Sequence, residues 1–269
     1  MVVEMASISK NDLILLSDMQ SISTVIVCRN EADAISKTLL SLQGLSDDIV
    51  VYDNGSTDNT KILAQQQGAK LFEGSWEGFG KTKKKAVSLA KYDWILSVDA
   101  DEAIDEELKQ SLLQLQFPDT ETVYEIRFKN FFADKHLRYG EWGGDKHIRL
   151  FNRKTVNWDE SLVHEKLVLP PGIKIIRLKG FVLHQTVKDV KDYAEKTMHY
   201  AFLNASKYFL SGKKSSRLKI LIAPIFGFIK YYFFRLGFLD GWEGFICARM
   251  TAFYTFLKYE KLRELNRKK

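Results

Sequence analysis

The sequence is poor in the residues that define several protein classes. Of its 269 residues, only two are cysteine, four are proline and 16 are glycine. Two cysteines cannot form a disulfide framework or a cysteine-rich zinc site. The low glycine and proline content also excludes collagen-like and low-complexity chains. Cys28 lies in an apolar run and Cys247 near the C-terminus, so we expect both to be inert thiols in a reducing compartment.

Long hydrophobic segments are also missing. Residues 1–20 show no basic region followed by an apolar core and a small-residue cleavage site, as a secretory signal would. We therefore expect a cytoplasmic protein and assign residues 1–20 to an N-terminal extension. The uncharged, mostly apolar stretch 220–229 has ten residues, whereas a membrane-spanning helix needs about 20.

Two familiar nucleotide-binding patterns are absent too. No G-x-G-x-x-G follows the first predicted strand, and no G-x-x-x-x-G-K-[ST] occurs anywhere in the chain. The chain is therefore not expected to be a dinucleotide-dependent enzyme or a P-loop NTPase.

Short apolar runs alternate with helical patterns in the first half of the chain. Strands are predicted at 22–28, 48–52, 69–73 and 94–98, and helices at 31–43, 57–67 and 81–91. Strands of this composition, separated by helices, indicate a parallel sheet with crossover helices, so the predicted fold class is α/β. Ligands of such sheets bind at the carboxyl ends of the strands.

Acidic residues follow two of these strands. Asp53 ends the second strand, and Asp99 and Asp101 follow the fourth. Two carboxylates two residues apart, directly after an apolar strand, repel each other and gain from a shared cation. Oxygen ligands favour Mg²⁺ or Mn²⁺, which can also bridge a substrate diphosphate. The sequence therefore predicts a divalent-metal site here, with Asp53 placed to accept hydrogen bonds from a nucleoside.

Several segments together resemble one enzyme family. VIVCRNEADAISKTLLSL, IVVYDNGSTDNT and WILSVDADE resemble the nucleotide-sugar-binding half of glycosyltransferase family 2, which has the GT-A fold. WGGDKHIRLF, VHE, LKGFVLH and GFLDGWEG resemble its lipopolysaccharide-core glucosyltransferases. The resemblance runs from about residue 21 to 265. It implies a Rossmann-like, mostly parallel sheet with flanking helices and a C-terminal amphipathic helical extension.

The resemblance also implies an activity and a division of the chain. The activity is inverting transfer of a sugar, with glucose favoured, from a UDP-sugar to a lipopolysaccharide-core or other cell-envelope glycan. Residues 21–120 would form the nucleotide-sugar-binding half, 121–210 the acceptor-binding and catalytic half, and 211–269 a basic, aromatic helical region. The first alternative is transfer to a polyprenyl phosphate, because such an enzyme would have the same nucleotide-sugar-binding half. A nucleotide-sugar-binding protein without turnover is a further alternative.

Individual residues acquire roles from the same resemblance. The residues implied at the nucleotide sugar are Cys28, Arg29, Asn30, Glu31, Asp53, Lys81, Lys85, Asp99, Ala100 and Asp101. The first four would line the uracil and ribose pocket, and Asp53 would bind the base or ribose. Lys81 and Lys85 would approach the diphosphate, although a solvated helix face explains such a lysine run equally well. Asp99 would face the ribose and metal, and Asp101 would ligate the metal directly.

Inverting transfer also requires a general base for the acceptor hydroxyl. Glu165, in the VHE segment, is the first candidate and Asp145 the second. The related enzymes carry Gly-Gly-Trp-aromatic-Pro-Asp before this aspartate, whereas this chain has GEWGGD at 140–145; we therefore expect a different acceptor loop. His164 and His184 are each either a ligand or a packed histidine, with His184 a candidate metal ligand. Arg149 pairs either with a phosphate or with a core carboxylate.

The C-terminal region is strongly basic. Residues 207–269 contain 14 basic and four acidic side chains. The aromatic cluster Tyr231, Tyr232, Phe233 and Phe234 is flanked by lysine and arginine, which predicts an amphipathic segment on the inner face of the cytoplasmic membrane. The alternative is a helix pair packed on the catalytic domain. No recognised nucleic-acid-binding motif accompanies the charge, so no nucleic acid partner is expected.

Overall fold

The computed structural model describes residues 22–161 and 165–268. The strands are β1 (Ile22–Cys28), β2 (Asp48–Asp53), β3 (Lys70–Glu73), β4 (Trp94–Asp99), β5 (Glu102–Ile104), β6 (Thr122–Phe132), β7 (Lys135–Leu137), β8 (Lys146–Asn152), β9 (Asn157–Trp158), β10 (Leu167–Val168) and β11 (Lys174–Val187). The helices are α1 (Ile35–Leu42), α2 (Thr60–Gln66), α3 (Phe79–Ser88), α4 (Glu106–Leu113), α5 (Val190–Leu210), α6 (Arg217–Ile229) and α7 (Gly241–Arg267).

The predicted α/β fold with a mostly parallel sheet is confirmed. Within the described residues, nine strands form one sheet in the order β3-β2-β1-β4-β8-β6-β11-β5, with β7 paired to β6. The first four strands of that order are mutually parallel, as are β6 and β11. Strand β8 runs antiparallel between β4 and β6, and β5 runs antiparallel to β11. Residues 1–21, 162–164 and 269, including the predicted N-terminal extension and His164, lie outside the described residues.

The core lies on both faces of the sheet because alternate strand residues point to opposite sides. Ile26 of β1 belongs to a cluster that includes Leu39 of α1 and Leu108 of α4. Its neighbour Val25 belongs to a second cluster with Val87 of α3. Helices therefore cover the central parallel strands on both faces, as apolar runs without alternation predict.

Strand register brings the predicted site residues to one edge. Cys28 of β1 pairs with Asp53 of β2, and Val27 pairs with Asp99 of β4. The carboxyl ends of these three adjacent strands thus lie side by side, and the loops that follow them share one crevice.

The C-terminal helices form a bent unit. Helix α6 contains Pro224 and continues into a π-helical turn at Lys230–Phe234, followed by a 3₁₀ turn at Gly237–Asp240. Among the helices the structure describes, none alone is long and apolar enough to cross a membrane. The segments Arg217–Phe234 and Gly237–Arg267, bent by 70°, meet that requirement of length and composition only as a pair.

This bent unit is attached to the loop between β7 and β8. Asp240 is buried, and its carboxylate accepts hydrogen bonds from the backbone N–H groups of Arg138 at 3.0 Å and Tyr139 at 2.8 Å. The N–H of Gly140 donates to the carbonyl of Arg235 at 2.9 Å. Thr251 of α7 donates a hydrogen bond to Glu141. The predicted acceptor loop is therefore held by the C-terminal helices.

Close backbone contact inside this unit gives a stability prediction. A Cβ added at Gly244 would lie 2.0 Å from the carbonyl oxygen of Gly237, whereas one added at Gly227 would lie 3.8 Å from the Thr255 hydroxyl. We expect Gly244→Ala to lower the free energy of unfolding by about 1–3 kcal/mol through overpacking. The control Gly227→Ala is expected to be neutral or to stabilise by up to about 1 kcal/mol, because alanine favours helix. Urea unfolding of both variants tests this; equal midpoints would contradict the close contact.

Candidate functional site

Side-chain hydrogen bonds join the loops that follow β1 and β2. Asp53 is fully buried, and its Oδ1 accepts hydrogen bonds from the backbone N–H groups of Gly55 at 2.9 Å and Ser56 at 2.8 Å. The Ser56 hydroxyl donates to Asp53 Oδ2 and accepts from the N–H of Asn30 at 2.8 Å. The Asn30 side-chain oxygen accepts from the N–H of Thr57 at 2.8 Å. Asp53 therefore caps a turn and, with Asn30, braces one wall of the crevice.

The other residues after β1 differ in their surroundings. The Cys28 thiol is 3.7 Å from Asp53 Oδ2, and burial with that negative neighbour raises the pKa of Cys28 well above its usual range. This fits the predicted inert thiol. Burial and the nearby charge of Asp101 raise the pKa of Glu31 to about 7. Arg29 is exposed at the mouth of the crevice.

Asp99 lies between two buried cations. Its Oδ1 is 2.9 Å from Lys83 Nζ and its Oδ2 is 2.9 Å from Arg149. Burial alone would raise the pKa of Asp99, but these two cations outweigh burial and hold it far below its usual range. Arg149 also pairs with the buried Glu102. Of the two alternatives for Arg149, the structure shows pairing with core carboxylates.

The backbone between the two aspartates is fixed as well. Ala100 is buried, and its carbonyl accepts a hydrogen bond from the Thr38 hydroxyl of α1 at 2.7 Å. The N–H of Asp99 donates to Glu102 Oε2 at 3.0 Å. These contacts hold the turn that directs the side chain of Asp101 away from the pairs made by Asp99.

Asp101 instead faces His184 of β11. Asp101 Oδ2 and His184 Nε2 are 3.5 Å apart, and both side chains are partly exposed. His184 Nδ1 is 2.9 Å from the side-chain oxygen of Asn130. The Asn130 amide nitrogen donates to the carbonyl of Trp142 at 3.1 Å and to Asp145 Oδ2 at 3.3 Å. Because this orientation directs the amide oxygen at His184, Nδ1 carries a proton and Nε2 faces Asp101. Burial lowers the pKa of His184, but the hydrogen bond and charge of Asp101 outweigh burial and raise it. A cation bound between the two side chains would take the place of the Nε2 proton.

This pair fits a divalent cation that also binds substrate. Among residues 22–161 and 165–268, no group of three or more His, Cys, Asp or Glu side chains is arranged to hold a metal. A carboxylate oxygen and an imidazole nitrogen facing each other at a partly open position supply two ligands. Mg²⁺ commonly takes one or two protein ligands and completes its shell with waters and substrate phosphates. The residues present therefore fit such an ion.

The two candidate bases lie in different loops and have different partners. Glu165 Oε1 is 2.8 Å from Lys83 Nζ, so one ammonium joins Glu165 to Asp99. Asp145 reaches His184 through Asn130 and lies 3.0 Å from His147 Nε2. Burial would raise the pKa of Asp145, but hydrogen bonds from its neighbours, led by His147, hold it below the usual value.

The lysines of α3 divide into exposed and buried side chains. Lys81 is exposed, and Lys85 is exposed and lies 3.2 Å from Glu77. Lys83, which the sequence analysis did not single out, is buried between Asp99 and Glu165 and lies 4.8 Å from the centre of the Trp158 ring. The spacing of Gly80, Lys83 and Val87 is that of one buried helix face. That periodicity was available in the sequence and distinguishes Lys83 from its neighbours.

Comparison with known proteins finds a matching family and similar chains. The family model described as glycosyl transferase family 2 matches residues 23–179. An uncharacterized glycosyltransferase of Rickettsia typhi is 30% identical over 260 residues, covering 93% of this chain and 89% of that protein. The lipopolysaccharide core biosynthesis glycosyltransferase LpsC of Rhizobium meliloti is 28% identical over 248 residues, covering 90% of this chain and 91% of that protein.

A solved structure is also similar over part of the chain. Glucosyl-3-phosphoglycerate synthase from Mycobacterium tuberculosis, crystallised with Mg²⁺ and uridine diphosphate, is 24% identical, covers 44% of this chain and 46% of that one, and has a TM-score of 0.33. At that TM-score the similarity carries no weight for the donor, the metal or the acceptor.

Proposed function

Because the chain belongs to glycosyl transferase family 2, we propose that it transfers a sugar with inversion from a UDP-sugar to the core of lipopolysaccharide or another cell-envelope glycan. Glucose is the first choice of donor sugar. The observation that carries the proposal is that Lys83 joins Glu165 to Asp99 at the carboxyl end of β4. Two residues farther along, Asp101 faces His184. The likeness to LpsC supports the class of acceptor.

The nucleoside is proposed to bind against the wall after β1 and β2. Asn30 and Glu31 border this wall, and the buried Asp53 carboxylate holds its backbone through hydrogen bonds. Arg29 and Lys81 are exposed, and we propose that their positive charges attract the donor diphosphate. The hydrogen bonds of Asp53 within the loop support a role in positioning it, and contact of Asp53 with the base or ribose stays a prediction.

Mg²⁺ or Mn²⁺ is proposed to bind at Asp101 and His184, where it would offset the charge that develops on the leaving diphosphate. Asn130 orients His184 for this purpose through the bond to Nδ1. Asp99 has both oxygens paired with cations, so its proposed task is to fix the turn that presents Asp101. A direct bond from Asp99 to the metal stays a prediction of the sequence resemblance.

Glu165 is proposed as the general base. The acceptor hydroxyl oxygen attacks the anomeric carbon, the bond from that carbon to the diphosphate oxygen breaks, and the hydroxyl proton passes to the carboxylate of Glu165. Glu165 uses Oε1 for the bond to Lys83, which leaves the second oxygen for the proton. Asp145 is the alternative, but it already accepts hydrogen bonds from Asn130 and His147.

The enzyme is proposed to work as a peripheral protein on the inner face of the cytoplasmic membrane, where nucleotide sugars and lipid-linked glycans meet. The exposed apolar side chains of the C-terminal helices and the basic character of residues 207–269 support this placement.

The decisive experiment measures binding and hydrolysis of a panel of nucleotide sugars with Mg²⁺, with Mn²⁺ and with EDTA. We expect one UDP-sugar, with UDP-glucose first, to be bound and turned over only when a divalent ion is present. Transfer to truncated lipopolysaccharide but not to polyprenyl phosphate would then support the acceptor. Binding without turnover on any acceptor would favour a non-catalytic protein, and binding of no nucleotide sugar would refute the proposal.

A further inference from the structure

The C-terminal helices carry an apolar surface that nothing in the described chain covers. On α6 the exposed apolar side chains are Leu218, Leu221, Ile222, Ile225, Phe226 and Ile229. Their spacing of three and four residues places them on one side of the helix, which we call the apolar face. Leu221 is 66% exposed and Ile225 is 61% exposed. A helix that packs on a soluble domain turns such a face inwards.

The apolar surface continues beyond the end of α6. Phe234 is 76% exposed and Trp242 is 68% exposed, on either side of the 70° bend. Tyr231 and Tyr232 are half-buried instead, and the Tyr232 ring stacks on Phe228 with the centroids 5.2 Å apart. The aromatic cluster is thus divided: its tyrosines pack within the bend, while Phe234 extends the apolar surface.

Basic side chains border the apolar face at both ends. Lys214 and Arg217 lie at the start of α6, and Lys230 and Arg235 at its end. An apolar helix face bordered by cations matches the headgroup region of a bilayer that contains anionic lipids. A second copy of the chain would bring the same positive charge into the contact, so like charges would oppose that occupant.

The same helices control the position of the acceptor loop. Asp240, at the bend, binds the backbone of Arg138 and Tyr139, and Thr251 of α7 binds Glu141. Farther along this loop, the carbonyl of Trp142 accepts a hydrogen bond from Asn130, which also contacts His184. Hydrogen bonds at residues 138–142, together with the loop backbone between them, therefore connect the C-terminal helices to the proposed catalytic centre.

We propose that the apolar face inserts into the headgroup region of an anionic bilayer and thereby holds residues 138–145 at a fixed height above it. The preferred acceptor is then a saccharide anchored by lipid in that same bilayer. This inference rests on the proposed transfer reaction and adds the physical state of its acceptor. A soluble form of the same saccharide would have to reach the loop without this shared anchoring, so it would be used less efficiently.

The insertion is tested with the full chain and vesicles of phosphatidylcholine, alone or with phosphatidylglycerol. We expect binding to the anionic vesicles and a partition coefficient at least about tenfold lower for the double variant Leu221→Glu/Ile225→Glu. The matched control is Ile62→Glu on α2, where Ile62 is 55% exposed; it should partition like the parent. Equal partition of the double variant and the parent overturns the insertion. The insertion is also overturned if the parent is a dimer and the double variant is a monomer, because a second copy of the chain would then cover the apolar face.

The acceptor is tested with rough lipopolysaccharide in those vesicles and with the oligosaccharide released from it by deacylation. We expect the parent to have a kcat/KM at least about tenfold higher on the vesicle acceptor. The double variant should lose this advantage and keep its rate on the soluble oligosaccharide. If the parent transfers equally fast to both acceptors, the preference for a lipid-anchored acceptor is overturned, while the proposed transfer reaction itself stands. Transfer to neither acceptor would refute lipopolysaccharide as the acceptor of the proposed function, while vesicle partition still tests the insertion separately.

Discussion

Replacing Asp101 by asparagine is expected to lower kcat/KM for sugar transfer by about 10³-fold or more, which corresponds to about 4 kcal/mol of lost transition-state stabilisation. Asparagine retains the shape of the side chain but removes the negative charge that faces His184 at 3.5 Å. The donor diphosphate would then lack its charge-neutralising ion at the moment the bond to the sugar breaks. Initial rates across a range of Mn²⁺ and Mg²⁺ concentrations measure the loss.

A second readout separates metal binding from damage to the fold. Electron paramagnetic resonance should detect Mn²⁺ bound to the parent in the presence of UDP, and Asp101→Asn should abolish this signal. The matched control is Asp47→Asn, at the opposite end of β2, where Asp47 pairs with Lys91 and Tyr92 on the surface. This control should keep both the signal and the rate. If Asp101→Asn retained Mn²⁺ binding and turnover within about threefold of the parent, the metal assignment would be wrong.

Replacing Glu165 by glutamine is expected to lower kcat by about 10²–10⁴-fold with little change in donor affinity, because a general base contributes rate enhancements of that size. Glutamine keeps an oxygen that can accept the hydrogen bond of Lys83, so the ammonium between Asp99 and residue 165 retains both partners. The substitution therefore removes the basic group with the least disturbance of its surroundings. Pre-steady-state and steady-state rates with saturating acceptor measure the effect, and calorimetry with UDP measures donor affinity.

Asp145→Asn provides the comparison for the base. Asparagine at 145 can still bind Asn130 and His147, which hold that side chain in place. If Glu165 is the base, Asp145→Asn should cost less than about tenfold in kcat. A loss at Asp145→Asn that exceeds the loss at Glu165→Gln would transfer the role to Asp145. Near-normal turnover of both variants would exclude both residues.

The central strands were predictable because local composition determines them. The runs that end at Cys28, Asp53 and Asp99 are apolar or β-branched and are followed by polar loop residues, so β1, β2 and β4 were found within one residue of their observed bounds. Helix starts were less accurate: α1 begins at Ile35 rather than near residue 31. The backbone N–H groups of Glu31 and Ala32 instead donate to the side chains of Thr60 and Asp58 near the start of α2, and sequence periodicity does not report such bonds.

The site was predictable where it depends on neighbouring strands and not where it depends on distant ones. The placement of Asp53 and of the turn at Asp101 at one edge of the sheet could be predicted because parallel strands end there. The placement of Asn130 could not, because its partners come from β11 and from the acceptor loop, and only the folded chain joins them. Lys83 is an intermediate case: its place on a buried helix face was readable, but its pairing with Glu165 requires a segment 82 residues away in the chain.

The attachment of residues 138–145 to the C-terminal helices bears on how parts of related enzymes can be exchanged. A chimera that imports only this loop would lose the two acceptors that hold it, the Asp240 carboxylate and the Arg235 backbone carbonyl. A chimera that imports only the C-terminal helices would present those groups to a foreign loop. The two segments are far apart in sequence but form one hydrogen-bonded unit in the fold. Acceptor preference should therefore move between relatives only when both segments move together.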